Sequence, residues 1–321
     1  MLKFRNRCFV LLVPKLLFIF SCVGIVLYFV NAKYELIKAK NLLKDKSTLN
    51  FDKSYMLKKK SNFIFDKCME KNYSYDATIS VNNVEEEMNK LNREKVQADD
   101  PRLVQLIRNH FILPPSKLPY NLTDPDKFDT SMGQAPFVDN RLRFKECGFY
   151  VESGAHDGEY LSNTLFFERT RYWTGILIEP LPDVFKTLQS KHRKAYILNA
   201  CLSPYKYPVK EYLSNTPVLG KIMKTASRGK TVHVQCFPLY SVLLALNQTT
   251  VDFLSLDVEG VENSVLEALP WNKVNIKMLA VEFDKWPGGS EALCNYMKRK
   301  GYECAMHLRA HGAADTLFLK R

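Results

Sequence analysis

The ten residues FYVESGAHDG, Phe149 to Gly158, set the reading of the whole chain. Phe149–Ser153 is an apolar run of strand length that stops at Gly154. Gly154 and Gly158 lack a Cβ, so the backbone there can turn sharply and pass close to a ligand. Outward from this stretch, helix and strand patterns alternate. Leu161–Arg169 reads as a helix, Thr174–Ile178 as a second strand ending in Glu179-Pro180, and Pro182–His192 as a helix with Val184, Phe185 and Leu188 on one face. Ala195–Ala200 is a third strand. Val232–Phe237 and a helix through Ser241–Leu246 follow. Phe253–Leu256 is a fourth strand ending in Asp257, Val261–Leu269 is helical, and Lys277–Phe283 is a fifth strand. Ser290 stands where it would cap a helix running to Lys300, with Gly301 as the stop signal. Glu303–Leu308 and Thr316–Leu319 close as an antiparallel pair. Strands alternating with helices predict an α/β fold, a mainly parallel sheet with helices on both faces.

In such a sheet, ligands bind beyond the carboxyl ends of the strands. Glu179 lies about 20 residues past the glycines, where an acid accepts hydrogen bonds from a ribose diol. The spacing G-x-x-x-G differs from the dinucleotide G-x-G-x-x-G, and no Lys-Ser/Thr of a phosphate loop follows. A nucleoside ligand without a pyrophosphate fits best, and S-adenosylmethionine is the candidate. The alternative is a glycine turn in a doubly wound domain that holds no cofactor. Asp257 and Glu259 lie two apart at the end of the fourth strand, before Gly260. They suit a base, a cofactor contact or a metal site; equally, Glu259 or Glu262 suits the amino terminus of the next helix. Glu282 and Asp284 form a second rim pair. His156 lies in the glycine loop as a ligand contact or base, while His307 and His311 read as surface or core residues. No HExxH or similar spacing occurs, so no metal is expected.

The chain has 321 residues, 46 Lys+Arg against 34 Asp+Glu and a net charge of +12. Its 46% hydrophobic and 25% charged residues exclude a collagen-like, disordered or polytopic membrane protein. The charge is unevenly spread. Residues 1–30 carry +4, residues 31–100 carry +2, and residues 186–230 alone carry +9, with ten basic residues and only Glu211 as acid. That stretch reads as a solvated face or, more sharply, as a docking surface for an acidic partner or anionic headgroups, with Lys221, Lys224 and Lys230 at its centre. No element interleaves aromatic and basic residues for nucleic-acid readout, so no nucleic acid is expected.

Cys8 to Val30 carries one charge, Lys15, and is preceded by Lys3, Arg5 and Arg7. It reads as a type II membrane anchor over residues 9–30 behind a cytosolic tail (1–8); a cleaved signal peptide is the alternative. Both put the rest of the chain outside the cytosol. Six cysteines remain there, Cys68, Cys147, Cys201, Cys236, Cys294 and Cys304, with fifteen possible pairings or none. Sequons at Asn72, Asn121 and Asn247 agree with a lumenal, glycosylated domain. Residues 31–98 are rich in Lys, Asn, Glu and Ser and read as a lumenal stem, although Asn83–Val96 has helical potential. Residues 99–146 form a lead-in, with an amphipathic helix from Asp100-Pro101 to His110 and then Pro114-Pro115. The main domain spans 147–321.

VESGAHDGEYLSNT, GILIEP, LNACLS, DFLSLDVEGVENSVLEAL and MLAVEFD occur in that order and resemble the FkbM-type methyltransferase domain. The resemblance covers about residues 147–321. It implies a Rossmann-like class I fold with a seven-stranded sheet and S-adenosylmethionine as cofactor. By position it implies a cofactor loop of Glu152, Gly154, Ala155 and Gly158, Glu179 on the ribose, and Asp257 lining the site. Asp257, Glu282 or His156 would take the acceptor's proton. DPRLVQLIRNHFILPP, YNLTDPDKFDTSMGQAPFVDN, GEYLSNTLFFER and KHRKAYILNACLSP, with the anchor, resemble the Star proteins of arthropods. That resemblance implies a membrane protein of the endoplasmic reticulum and Golgi, extending to endosome or plasma membrane. There it would assist export of membrane-anchored EGF-like ligand precursors and so EGF receptor signalling, with or without methyl transfer.

Overall fold

The computed structural model describes Cys68 and residues 83–214, 222–223, 231–310 and 313–321. The expected anchor (9–30), Asn72, His311 and the docking residues Lys221, Lys224 and Lys230 lie outside the described residues. Among the described residues no helix is long and apolar enough to cross a membrane.

Helix α1 (Val84–Glu94) is capped by Asn83, whose side chain accepts the Glu86 N–H at 3.1 Å. Helix α2 (Pro101–Leu106) has Asp100 as its cap and proline in its first turn, and runs on through a wider turn at Ile107–Phe111. Strand β1 (Ile112–Leu113) and helix α3 (Gln134–Arg141) follow. The alternating part is β2 (Phe149–Ser153), α4 (Leu165–Arg171), β3 (Thr174–Ile178), α5 (Pro182–Ser190) and β4 (Tyr196–Leu198). A second series comprises β5 (Cys201–Leu202), β6 (Val209–Ser214), β7 (Ile222–Met223), β8 (Thr231–Phe237) and α6 (Leu239–Ala245). The chain ends with β9 (Thr250–Leu256), α7 (Glu262–Ala268), β10 (Asn275–Glu282), α8 (Gly289–Arg299), β11 (Tyr302–Ala310) and β12 (Ala313–Lys320).

The main sheet has the order β1-β4-β3-β2-β9-β10-β12-β11. From β4 to β10 all neighbours are parallel, whereas β12 runs antiparallel to both β10 and β11. This is an α/β fold with a large mixed sheet. The sheet has eight strands rather than the expected seven, because Ile112-Leu113 pairs antiparallel with β4. Two residues before a proline pair are too short a run to read as a strand. A separate sheet, β5-β8-β6-β7, was not expected as a unit; β6 (VKEYLS) is half-exposed and its polar pattern hides it.

The period-two alternation of buried strands divides the core. Val151, Ile176, Ile178, Leu254, Leu256, Leu279 and Val281 face one side and pack with α1, α2, α6, α7 and α8. Tyr150, Leu177, Ile197, Phe253, Met278 and Ala280 face the other and pack with α3, α4 and α5. Met88, Leu91 and Val96 belong to the first core. Residues 83–98, read as the end of a stem, are therefore part of the domain, because the apolar side of α1 closes over the sheet. Helix α8 starts at Gly289 behind a left-handed Gly288 with no side-chain cap, so the expected cap at Ser290 is not used; that residue is already inside the first turn. The six cysteines pair as Cys68–Cys147, Cys201–Cys236 and Cys294–Cys304.

Candidate functional site

The carboxyl ends of β3, β2, β9 and β10 meet at one edge of the sheet, and the chemistry-bearing residues gather there. Gly154 leaves β2 at φ +83°, and its N–H and that of Ala155 both donate to the Ile178 carbonyl at 3.1 Å. A Cβ on Gly154 would collide with the Asp257 carbonyl oxygen. Only glycine lets the loop lie this close to the end of β9, where Asp257 N–H donates to the Ser153 carbonyl at 3.1 Å. Gly158, at φ +77°, packs where a Cβ would strike Leu188.

Glu179 ends β3 and is buried. Its carboxylate accepts the His156 N–H at 3.0 Å and the Leu181 N–H at 2.9 Å, tying the tip of the glycine loop to β3. Burial pushes its pKa up to about 7, against the pull of those two N–H groups. Further donors from a ribose diol would stabilise the charged form. Asn199 donates to the Glu179 and Pro180 carbonyls at 2.8 and 3.1 Å and fixes this turn from β4. His156 sits at φ +49°, with Nδ1 3.6 Å from Asp157 Oδ1 and its ring at the edge of Tyr160. Asp157 raises the imidazole pKa, yet Nδ1 is buried with no hydrogen bond among the described residues.

Glu152, near the end of β2, is buried. It accepts from Ser162 Oγ (2.8 Å), Asn163 N–H (2.7 Å) and Thr164 Oγ1 (2.5 Å), and so holds the turn into α4. Both its oxygens accept hydrogen bonds inside the protein, which gives it a structural role in that turn. Beside it Arg193 is buried, donating to Glu168 at 3.0 Å and to the Gly158 carbonyl. Sequence reading counted Arg193 and Lys191 in a basic docking face. Both are buried, and Lys191 pairs with Glu159 at 2.7 Å.

Asp257 and Glu282 come together with Glu262, their carboxylate oxygens all within 4.8 Å of one another. Asp257 is exposed as a residue at the rim, while its carboxyl group is crowded by protein and by other acids. Burial first, then Glu282, Glu259 and Asp315, hold its pKa well above the ordinary value. Burial also pushes Glu282 up to about 7, against the attraction of Lys285. Glu262 accepts the Val258 N–H at 2.9 Å and the Gly260 N–H at 3.1 Å, so from the first turn of α7 it ties down the preceding loop, while α7 has no side-chain cap. Glu259 instead bonds Lys285. These oxygens are close enough for a divalent cation. Cys294, Cys304 and His307 also cluster, but the sulfurs are spent in a disulfide. Sequence reading missed Asn163, whose amide donates to Ser255 Oγ at 2.9 Å, and Asn199; their positions directly after the glycine loop and the third strand were the available signal.

Residues 152–304 match the family model described as Methyltransferase FkbM domain. Among solved structures the chain is similar to methyltransferase FkbM from Methylobacillus flagellatus KT, at 15% identity and a TM-score of 0.40, covering 72% of this chain and 57% of that one. The chain thus spans a little over half the length of that relative. It is also similar to precorrin-6y C5,15-methyltransferase from Geobacter metallireducens GS-15, at 12% identity, TM-score 0.36, 62% of this chain and 96% of that one. A third likeness is to 1,6-didemethyltoxoflavin-N1-methyltransferase of Burkholderia thailandensis with S-adenosylhomocysteine bound, at 11% identity, TM-score 0.30, 59% of this chain and 77% of that one. No curated protein matches, so the Star-like stretches find no relative there.

Proposed function

We propose that the domain is an S-adenosylmethionine-dependent methyltransferase acting on a hydroxyl or similar acceptor. The observation that carries this reading is the junction at Gly154. A glycine loop without room for a Cβ runs between an acid-ended β3 and the acidic end of β9, within residues that match the FkbM domain model. The residues fit the cofactor: Glu179 is a buried carboxylate held up near neutrality, Gly154 and Gly158 let the loop turn tightly at the strand ends, and Asp257 lies at the end of the neighbouring strand. S-adenosylmethionine supplies an electrophilic methyl group when bound. Glu179 would hold the ribose hydroxyls and the glycine loop the rest of the nucleoside. Glu282, poised near pH 7 beside Asp257, would take the proton that the acceptor oxygen loses as it gains its methyl group. Positioning the acceptor supplies the remainder of the rate.

Calorimetry of the full chain with S-adenosylmethionine tests this reading. Saturable heat that disappears in Glu179→Ala, at unchanged melting temperature, supports it. No heat at millimolar cofactor ends it. A second reading draws on residues 116–131. They run as a surface strap whose Asp124 and Thr123 N–H groups bond Glu159, and whose exposed Phe128 lies under Arg169. An exposed aromatic on a pinned strap favours a docking role of the kind implied for Star proteins, toward membrane-anchored EGF-like precursors. Co-precipitation with such precursors, lost in Phe128→Ser, tests it, and undiminished capture removes the strap from consideration.

A further inference from the structure

The cysteines and one sequon bear on where the domain matures, independently of methyl transfer. Among the described residues every cysteine is paired, across separations of 79, 35 and 10 residues. Such pairing persists in secretory compartments and is rare in the cytosol. Cys201 and Cys236 stand directly opposite each other on parallel β5 and β8, and both are buried. A soluble oxidant has no path to them once the sheet has packed, so that bond closes while the chain folds.

Both described sequon asparagines are exposed, and they differ in how the fold holds the amide nitrogen. Asn121 is knitted in: its N–H donates to the Lys191 carbonyl at 3.0 Å and its Nδ2 to the Ser190 carbonyl at 3.1 Å. Thr123 Oγ1 of the same sequon accepts Lys191 Nζ at 2.6 Å. Asn247 is displayed. It is exposed in the short connection between α6 and β9, at a left-handed φ of +48°. Arg108 holds the carbonyls of Leu244 and Ala245 at the end of α6 and donates to Asn247 Oδ1 at 2.9 Å. The amide is thus held by its oxygen, while Nδ2 enters no hydrogen bond among the described residues.

We infer that this chain folds in an oxidising, glycosylating lumen and carries an N-linked glycan on Asn247. The donor class is a lipid-linked diphosphate oligosaccharide. Asn247 Nδ2 bonds to C1 of its first sugar, the C1–O bond to the diphosphate breaks, the amide proton passes to the transferase's base, and the lipid diphosphate leaves. The end of α6, just before the modified residue, is already held by Arg108, so the glycan projects without disturbing α6.

The test uses the full chain secreted or retained by cultured eukaryotic cells. Enzymatic removal of N-glycans in heavy-oxygen water, followed by peptide mass spectrometry, marks each occupied asparagine. Alkylation before and after reduction counts thiols. Asn247 marked, the mark lost in Thr249→Ala, and the six paired cysteines alkylated only after reduction are expected. Thr249→Ala keeps Asn247 and its Arg108 bond, so it separates modification from folding. An unmarked Asn247, free thiols among those six cysteines, or a mark on Asn121 as strong as that on Asn247 would overturn the inference.

Discussion

Two groups of acids flank the end of β2, and they are built in opposite ways. On one side Glu152 and Glu168 are buried around Arg193. Glu168 accepts from Arg193, from Tyr150 OH at 2.5 Å and from the Lys194 N–H at 2.5 Å, and Glu152 is satisfied by the turn at Ser162–Thr164. On the other side Asp257, Glu262 and Glu282 crowd together with Lys285 3.5 Å from Glu282, and Glu282 Oε2 has no hydrogen bond among the described residues. The first group has its guanidinium and donors in place and therefore acts as architecture, pinning the glycine loop through the Gly158 carbonyl. The second leaves charge repulsion standing. Such imbalance is what the proposed proton transfer would use, because a carboxyl held near neutral pH gives and takes protons readily.

Breaking the architectural side should have the largest effect. Arg193→Met strands two buried carboxylates and should cost about 3–5 kcal/mol of stability, measured by urea unfolding. Wild-type stability in that variant would dissolve the contrast. On the working side the sign should reverse for stability and fall hard for activity. Glu282→Gln should lower turnover by about 100-fold or more while leaving the melting temperature equal or higher. A lower melting temperature would make the cluster structural after all. Glu179→Ala should weaken S-adenosylmethionine binding roughly ten- to hundredfold, the range for losing hydrogen bonds to a charged group, as read by calorimetry.

The smallest effect is graded with pH. Glu179 is raised from 4.5 to about 7 in the folded chain. Between those values the folded state holds a proton that the unfolded state has lost, so its contribution to stability declines as pH rises through that window. Ribose donors favour the ionised carboxylate, so cofactor affinity should run the other way. It should fall by up to about tenfold per unit as pH drops below 7 and stay flat in Glu179→Gln. A slope that persists in that variant points to His156, the other titrating group at the loop, whose pKa Asp157 raises.

Sequence was most informative where both faces of a strand are buried. Phe149–Ser153 and Thr174–Ile178 were read with the bounds the structure has, because continuous apolar runs between glycine and acid leave little choice. The glycine loop, Glu179 and Asp257 were likewise legible, since backbone freedom and strand-end acids are local properties. Arg193 was not. It stands in KHRK, among bases, and its partners Glu168 and Gly158 lie 25 and 35 residues away, so only the folded sheet turns a surface-like residue inward. Glu152 was legible in part for the same reason: its position on β2 was readable, while the Ser162–Thr164 turn that bonds its oxygens was not.

The eighth strand has a consequence for how the molecule keeps to itself. A parallel sheet ending at β4 would expose a row of unpaired backbone groups, a template for another chain. Ile112 and Leu113 cover that row for two residues. Pro114 and Pro115 then follow, and neither has an N–H to offer. The flank is sealed by a strand too short to be copied and a dipeptide unable to extend it, a built-in terminator against sheet-to-sheet polymerisation.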